Sequence, residues 1–345
     1  MKRKLLLIDI ASLNKNGKLY GHGLNVAKNY TEVLKNYFDC YVVGGKVYKE
    51  YFQQYIRLPF SFSFHENGFI KNIKGLTNVL VSLLLKADIY IFQSQYNIPI
   101  LACLKFFPFL VKNKKIYLIM YNDPINNPIY PTEKKWFMSA QDRIYGIITC
   151  NVEWTNSLNC KVINLPDYLP ENNYIEKKQS HQYDFAVLGT ISEWKNCEMV
   201  IEAINKTDYT CLIAGNFEDK ERKDKMCEIA GERVTILDEY LSTEKYFDLF
   251  SKTSCIVLPY NKEYYNNKSS GVVLESLYRK IPVIAPNINS FKFVAEQGVG
   301  WLYDDNISEV LEGYAKSIDE KEKNIEQFIS KMENKVENEI KKMKK

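Results

Sequence analysis

Arginine and histidine are scarce. Among 345 residues there are three histidines (His22, His65, His181) and six arginines, at positions 3, 57, 143, 222, 233 and 279. The planar fork used for bidentate phosphate or guanine recognition is therefore rare. Lys plus Arg total 46 against 42 for Asp plus Glu, a balance of +4 that falls far short of the basic excess of a dedicated nucleic-acid binder. The eight cysteines form no CxxC pair and the histidines are far apart, which gives a zinc cluster little support and predicts buried free thiols in a reducing cytosol. No apolar run reaches the roughly 18 residues that span a bilayer. The best candidate, NVLVSLLLKADIYIF, is interrupted by Lys86 and Asp88. The opening run MKRKLLLIDIAS stops at Asp9, short for a signal peptide, so a cytoplasmic chain is expected. With 46% hydrophobic and 26% charged residues, wholesale disorder is excluded as well.

What the chain does have is length and alternation. At roughly 150 residues per domain it is long enough for two domains with cores of their own. Short apolar or β-branched runs recur with helical segments between them, the pattern of parallel strands joined by crossover helices. In the first half these are LLLID (5–9), CYVVGG (40–45), DIYIF (88–92), IYLIMY (116–121) and GIITC (146–150). The second half repeats the alternation with FAVLG (185–189), TCLIAG (210–215), RVTIL (233–237), CIVLP (255–259) and PVIAP (282–286). Between them a polar stretch with Pro166 and Pro170 reads as a linker over 166–182. The expectation is an α/β chain of two Rossmann-like doubly wound domains, over 1–170 and 182–318, facing across a cleft where the carboxyl ends of the strands meet. From Asp319 onward, Ile325, Phe328, Ile329, Met332, Val336 and Ile340 fall at helical spacing, which predicts a long amphipathic helix over about 320–345 packing back on the body.

The most informative stretch is YNNKSSGVVLESLYRKIPVIAP, 265–286. Ser269, Ser270 and Gly271 are small residues that open a helix and leave its first N–H groups exposed, an anion site suited to a diphosphate. Glu275 lies four residues on, one turn deeper on the same face. A carboxylate there accepts hydrogen bonds from vicinal hydroxyls, which suits a ribose. Farther upstream, FAVLG runs into Thr190, Ile191, Ser192, Glu193, Trp194, Lys195 and Asn196, and near the start a loop with Gly17, Gly21, His22 and Gly23 precedes a helix.

Over roughly 183–305 the sequence resembles the second half of the GT-B glycosyltransferases, in particular the family 4 type. Glu275, Ser276, Leu277, Pro282, Val283 and Ile284 match a run of the form GxxxLEAxxxGxPVIA, with Asn267 where those enzymes carry an upstream Glu. Lys195 matches the Lys of GRLxxxKG, with Thr190 in place of its Arg. The resemblance implies that Glu275 holds the ribose of a nucleotide diphosphate-sugar donor. It further implies that Lys195 and the Ser269–Gly271 helix start stabilise the leaving diphosphate and that Asn267 meets the donor sugar. DEYLSTEKYFDLF (238–250) resembles the segment that meets the base, which makes Tyr240 and Leu241 the base contacts. The Gly21, His22, Gly23 loop corresponds to one that approaches donor phosphate and acceptor, and Tyr121, Asn122 and Asp123 are the candidates where such enzymes often carry a histidine near the reacting sugar.

The implied activity is retaining, metal-independent transfer of a sugar to a hydroxyl of a glycan or lipid-linked glycan, in bacterial surface-polysaccharide assembly. No cofactor is implied beyond the nucleotide-sugar co-substrate. A nucleotide-sugar epimerase on the same fold and a non-catalytic nucleotide-sugar-binding subunit are the alternative readings. Plainer readings of single residues stand beside these: a solvated helix position for Glu275, a surface lysine for Lys195, an inert loop residue for His22, and for Asp123, ahead of Pro124, an ordinary turn starter. The run LACLKFFPFLVKNKK (101–115) reads first as a core helix with a lysine-capped end and second as a segment for peripheral contact with the inner face of the cell membrane.

Overall fold

The computed structural model describes the chain except at 1, 15–16, 18–20, 64, 67–68, 94–96, 122, 127–130, 151, 167–168, 170–180, 267–269 and 345, and except for the side chains at 21, 22, 131, 153, 157, 243 and 315. The sequence-predicted residues Asn122, Asn267 and Ser269 thus lie outside the described residues, as do most of the linker positions. The chain is α/β, as the alternation predicts, and forms two compact units, one of residues 1–169 with 335–345 and one of residues 170–334.

Among the described residues, the first unit is built on a parallel sheet of seven strands: β1 (Lys4–Ile8), β2 (Asp39–Gly44), β3 (Tyr55–Arg57), β4 (Ile89–Phe92), β5 (Lys115–Ile119), β6 (Gly146–Thr149) and β7 (Lys161–Asn164). Their spatial order is β3-β2-β1-β4-β5-β6-β7. The second unit holds a parallel sheet of six: β8 (Tyr183–Leu188), β9 (Cys211–Gly215), β10 (Val234–Asp238), β11 (Thr253–Val257), β12 (Val283–Pro286) and β13 (Gly300–Tyr303). Here the order is β10-β9-β8-β11-β12-β13, so both sheets are doubly wound in the Rossmann manner.

Central strands covered by helices on both faces should be continuously apolar. Leu5, Leu6, Leu7 and Ile8 in one sheet and Phe185, Ala186, Val187 and Leu188 in the other are accordingly buried. Three strands of these two sheets escaped the sequence reading: β3, β7 and β13. All three are edge strands. Half of an edge strand meets solvent, so YIR, KVIN and GWLY carry polar or small residues where the central strands carry Leu, Ile and Val.

Several helices of the second unit start where a polar side chain caps them. Asn196 accepts from Met199 N–H at 3.4 Å, Asp219 from Arg222 N–H at 3.1 Å, and Ser242 from Lys245 N–H at 3.2 Å. The helix Cys197–Ile204 buries Cys197, Val200, Ile201 and Ile204, spaced to line one face against the sheet. The final helix, Ile318–Lys344, belongs to the second unit up to Asn334 and to the first from Lys335. In the first unit Lys161 Nζ donates to the Lys342 carbonyl at 2.9 Å and the Asn164 N–H to Glu339 Oε2 at 3.1 Å. No helix among the described residues is long and apolar enough to cross a membrane. Of the thiols expected to be buried, Cys150 and Cys160 are only half-buried and Cys227 is exposed.

Candidate functional site

In the second sheet the strand order reverses between β8 and β11, which pair side by side. Ligand crevices of doubly wound sheets open outside the carboxyl ends of strands at this kind of switch point. The chain leaving β8 turns through Gly189, whose φ is +95°, and the neighbouring β9 ends on Gly215 with φ +150°. A Cβ on Gly215 would stand 1.8 Å from the Gly189 carbonyl oxygen, so only glycine lets the two strand ends approach this closely.

From there the loop reaches Lys195, which bridges to Tyr260 beyond β11. Further hydrogen bonds run from Asn196 N–H to the Pro259 carbonyl at 2.6 Å and from Asn261 N–H to the Trp194 carbonyl at 2.9 Å. Trp194 stacks on Tyr264 with ring centroids 4.2 Å apart, which joins the two loops on their exposed side. Arg222, on the helix Lys220–Ile229, grips the loop from behind. Its guanidinium donates to the Ser192 carbonyl at 2.6 Å, to the Lys195 carbonyl at 2.5 Å and to both Glu198 oxygens.

Lys195 is 5% exposed, and its ammonium donates to the Leu188 carbonyl at 3.0 Å. It lies over the Tyr260 ring, 5.8 Å from the centroid. Burial lowers its pKa to about 8, against small opposing pulls from Cys197 and Glu218. A buried cation held by a carbonyl and an aromatic face is one that an incoming anion stabilises.

The Tyr260 phenol, held above its ordinary pKa first by burial and then by Tyr265, stays protonated. It shares a hydrogen bond with Ser270 Oγ at 2.9 Å. Ser270 is the N-cap of the helix Gly271–Tyr278 but gives that helix no side-chain cap, because its hydroxyl is engaged with Tyr260. Among the described residues, a Cβ placed on Gly271 meets no atom within 4 Å, which leaves space at the first turn. One turn deeper, Glu275 is 6% exposed. Its Oε2 accepts from the Tyr246 hydroxyl at 2.8 Å, and its charge acts on Tyr260. Arg279, at 3.9 Å from the Phe247 ring centroid, fastens this helix to Thr243–Ser251.

Of the residues singled out in the sequence, Lys195, Ser270, Gly271 and Glu275 therefore gather around Tyr260. Thr190 is exposed at the mouth of the first loop, and Tyr240 and Leu241 precede the helix that carries Tyr246, with Tyr240 at 83% exposure. Sequence reasoning missed Tyr260, Tyr246 and Arg222. Tyr246 lay inside a quoted segment one turn past its Ser242 cap, whereas Tyr260 and Arg222 carried no local signal.

A model of the family described as glycosyl transferases group 1 matches residues 170–342, half of the chain and all of this second unit. The chain belongs to the group 1 glycosyl transferases. Comparison with curated proteins by sequence finds no match. By structure, this glycosyl transferase is similar to a glycosyltransferase from Rickettsia africae (16% identity, 98% of this chain and 94% of that one, TM-score 0.61). It is similar also to Anabaena Alr3699/HepE, solved in complex with UDP (12% identity, 99% of each chain, TM-score 0.64). AviGT4, a glycosyltransferase involved in avilamycin A biosynthesis, aligns at 11% identity over 98% of this chain and 97% of its own, TM-score 0.62. At such identities the likeness speaks for the fold, two Rossmann-like units of the GT-B type.

In the first unit of this transferase, Gly21, His22 and Gly23 open the helix Gly21–Leu34, with the Gly23 carbonyl accepting from Gln93 Nε2 at 3.1 Å. Asp123 spends its carboxylate on its own turn, accepting from Ile125 N–H at 2.8 Å, Asn126 N–H at 3.1 Å and Asn126 Nδ2 at 2.7 Å. Among the described residues no group of three His, Cys, Asp or Glu is placed to hold a metal ion.

Proposed function

We propose that the chain moves a sugar from a nucleoside diphosphate donor to a hydroxyl of a glycan or lipid-linked glycan, with retention of configuration and without a metal. The setting would be the cytoplasmic face of a bacterium assembling surface polysaccharide. The observation that carries this reading is the buried, carbonyl-held ammonium of Lys195 at the sheet's switch point, with Glu275 and the uncapped Gly271 helix start around the same tyrosine. As the bond from the anomeric carbon to the diphosphate oxygen breaks, its electrons pass to that oxygen, and negative charge grows on the leaving group. Lys195 and the N–H groups at the helix start meet that charge in place before it develops. Glu275, oriented by Tyr246, takes the ribose hydroxyls, and Asn267 takes the donor sugar. Thr190 borders the phosphates, Tyr240 and Leu241 the base. Acceptor contacts come from the loops around 17–23 and 121–128, Gly21, His22, Gly23 and Asp123 among them.

Support for a uridine nucleotide comes from the UDP complex of the Anabaena neighbour. The reading is tested by thermal-shift and calorimetric titration with UDP, GDP and ADP, followed by transfer and donor-hydrolysis assays. Glu275→Ala and Lys195→Ala are each expected to weaken nucleotide affinity or transfer by about 10- to 100-fold, the range for a lost hydrogen bond to a charged group. Normal affinity and turnover in both variants would refute the site. Nucleotide binding with neither transfer nor hydrolysis would replace the enzyme by a binding subunit.

A further inference from the structure

The first unit carries a cavity that the transfer chemistry leaves unused. It lies at the amino ends of β5, β6 and β7, the end of a doubly wound sheet opposite to the one where substrates bind, and has a volume of about 780 Å³. Lys112, Lys114, Lys115, Arg143 and Lys161 line it, against one carboxylate, Asp142. The topology explains the crowding. Lys115 and Lys161 are the first residues of their strands, Tyr145 immediately precedes β6 between them, and Lys112 and Lys114 flank a turn whose Asn113 has φ +66°.

Three of these cations donate to neutral groups. Lys114 Nζ donates to the Tyr90 hydroxyl at 3.1 Å, Arg143 to the Ser139 carbonyl at 3.2 Å and Lys161 to the Lys342 carbonyl at 2.9 Å. Lys115 and Lys161 both lie over the Tyr145 ring, at 5.1 and 5.2 Å from its centroid. Burial raises the Tyr145 phenol, but the hydrogen bond from Lys115 and the charges of Lys161 and Lys115 outweigh it and hold the pKa below its ordinary value. The interior of the cavity is thus at positive potential, in a chain whose overall charge is close to balanced. Phe109, 71% exposed, forms part of the wall, and Phe106, 57% exposed, precedes it on the helix Ile98–Phe106.

We propose that this pocket binds a phosphate-bearing anion, its phosphate seated among Lys112, Lys115, Arg143 and Lys161. The volume admits a phosphorylated headgroup or a free phosphate compound, and point-charge lysines suit a phosphate's spread of negative oxygens. The exposed Phe109 at the wall places an apolar surface where the tail of a phospholipid would leave the pocket.

The test uses the full chain carrying Lys195→Ala, so that phosphate uptake in the other unit is weakened. One arm titrates inorganic pyrophosphate by calorimetry. The other measures co-sedimentation with phosphatidylglycerol vesicles against phosphatidylcholine vesicles at constant salt. The protein is expected to bind at least one anionic probe, and the double substitution Lys112→Glu, Arg143→Glu to weaken that binding tenfold or more. Both positions are exposed, so the variant is expected to keep its melting temperature. Phe109→Ser distinguishes the sources: it lowers vesicle binding and spares pyrophosphate when the anion is a lipid phosphate, and changes neither when it is free phosphate. Failure of both probes to bind, or equal binding by the charge-reversed variant, overturns the proposal.

Discussion

At the residue scale the site turns on one ammonium. Lys195 titrates at about 8 in the folded chain against a usual 10.5, because burial disfavours its charge. Below about 8 it is charged and attracts phosphate; as pH rises through that value it loses the proton and the attraction with it. Nucleotide affinity is therefore expected to be flat below about pH 8 and to fall toward tenfold per unit above it, with proton uptake on binding in that window. Calorimetric titration of UDP at about pH 7 and about pH 9.5 checks this, and an affinity that does not change between them counts against Lys195 as the phosphate ligand. The same shift acts on stability in the opposite sense. Between about 8 and 10.5 the unfolded chain holds more protons, so stability gains with rising pH there, while below about 8 the full penalty of burying the charge is present. As candidates, Glu275 stood out in the sequence by its offset from a small-residue helix start and Lys195 by its match to a family run. Tyr260 and Tyr246 were not, because a hydroxyl is recruited to a site by the elements that pack around it, and 25 tyrosines give local pattern no means to choose among them.

At the scale of the element, the loop from Gly189 to Asn196 positions that ammonium, and it has little regular structure of its own. Its shape is imposed from outside, by the contact of Gly215 against Gly189 and by the five-donor fork of Arg222 closed on Ser192, Lys195 and Glu198. The family pattern set an arginine at position 190. The chain has Thr190 there, and the arginine that serves this loop comes instead from the helix Lys220–Ile229, acting on backbone carbonyls. Arg222→Ala is expected to weaken UDP affinity about tenfold through the displaced loop, and Arg222→Lys to rescue little of it, because a single ammonium cannot replace a planar fork. Affinity in the two variants, with the pH midpoint of binding as a second readout, separates this from a general loss of stability. A positioning role moves the midpoint from about 8 toward the ordinary lysine value as the ammonium gains solvent; a merely structural one leaves it in place. The limits of legibility at this scale are physical too. Central strands announced themselves by continuous apolar runs, whereas the edge strands β3, β7 and β13 were lost because the solvent side tolerates polar or small residues among the apolar ones.

At the scale of the whole molecule, the restart of the strand–helix alternation after the Pro166–Pro170 stretch made two sheets visible in the sequence. The split of the last helix was not visible, since Ile325, Phe328, Val336 and Ile340 share one period whichever core they enter. The core around Leu6, Phe92, Leu118 and Ile147 and the core around Phe185, Ile213, Val257 and Ile284 are separate clusters. Val336, Ile340 and Met343 are buried in the part of the helix that belongs to the first unit. Truncating a fully buried Ile to Ala costs about 2–5 kcal/mol. Because the proposed nucleotide residues Lys195 and Glu275 belong to the second unit, Ile340→Ala is expected to destabilise the first unit while leaving UDP affinity close to that of the unsubstituted chain. In scanning calorimetry this appears as a lowered transition that UDP does not raise, beside a second transition that it does. A single transition shifted by both the substitution and the nucleotide would show that the two cores unfold as one cooperative body, with the shared helix as the element that couples them.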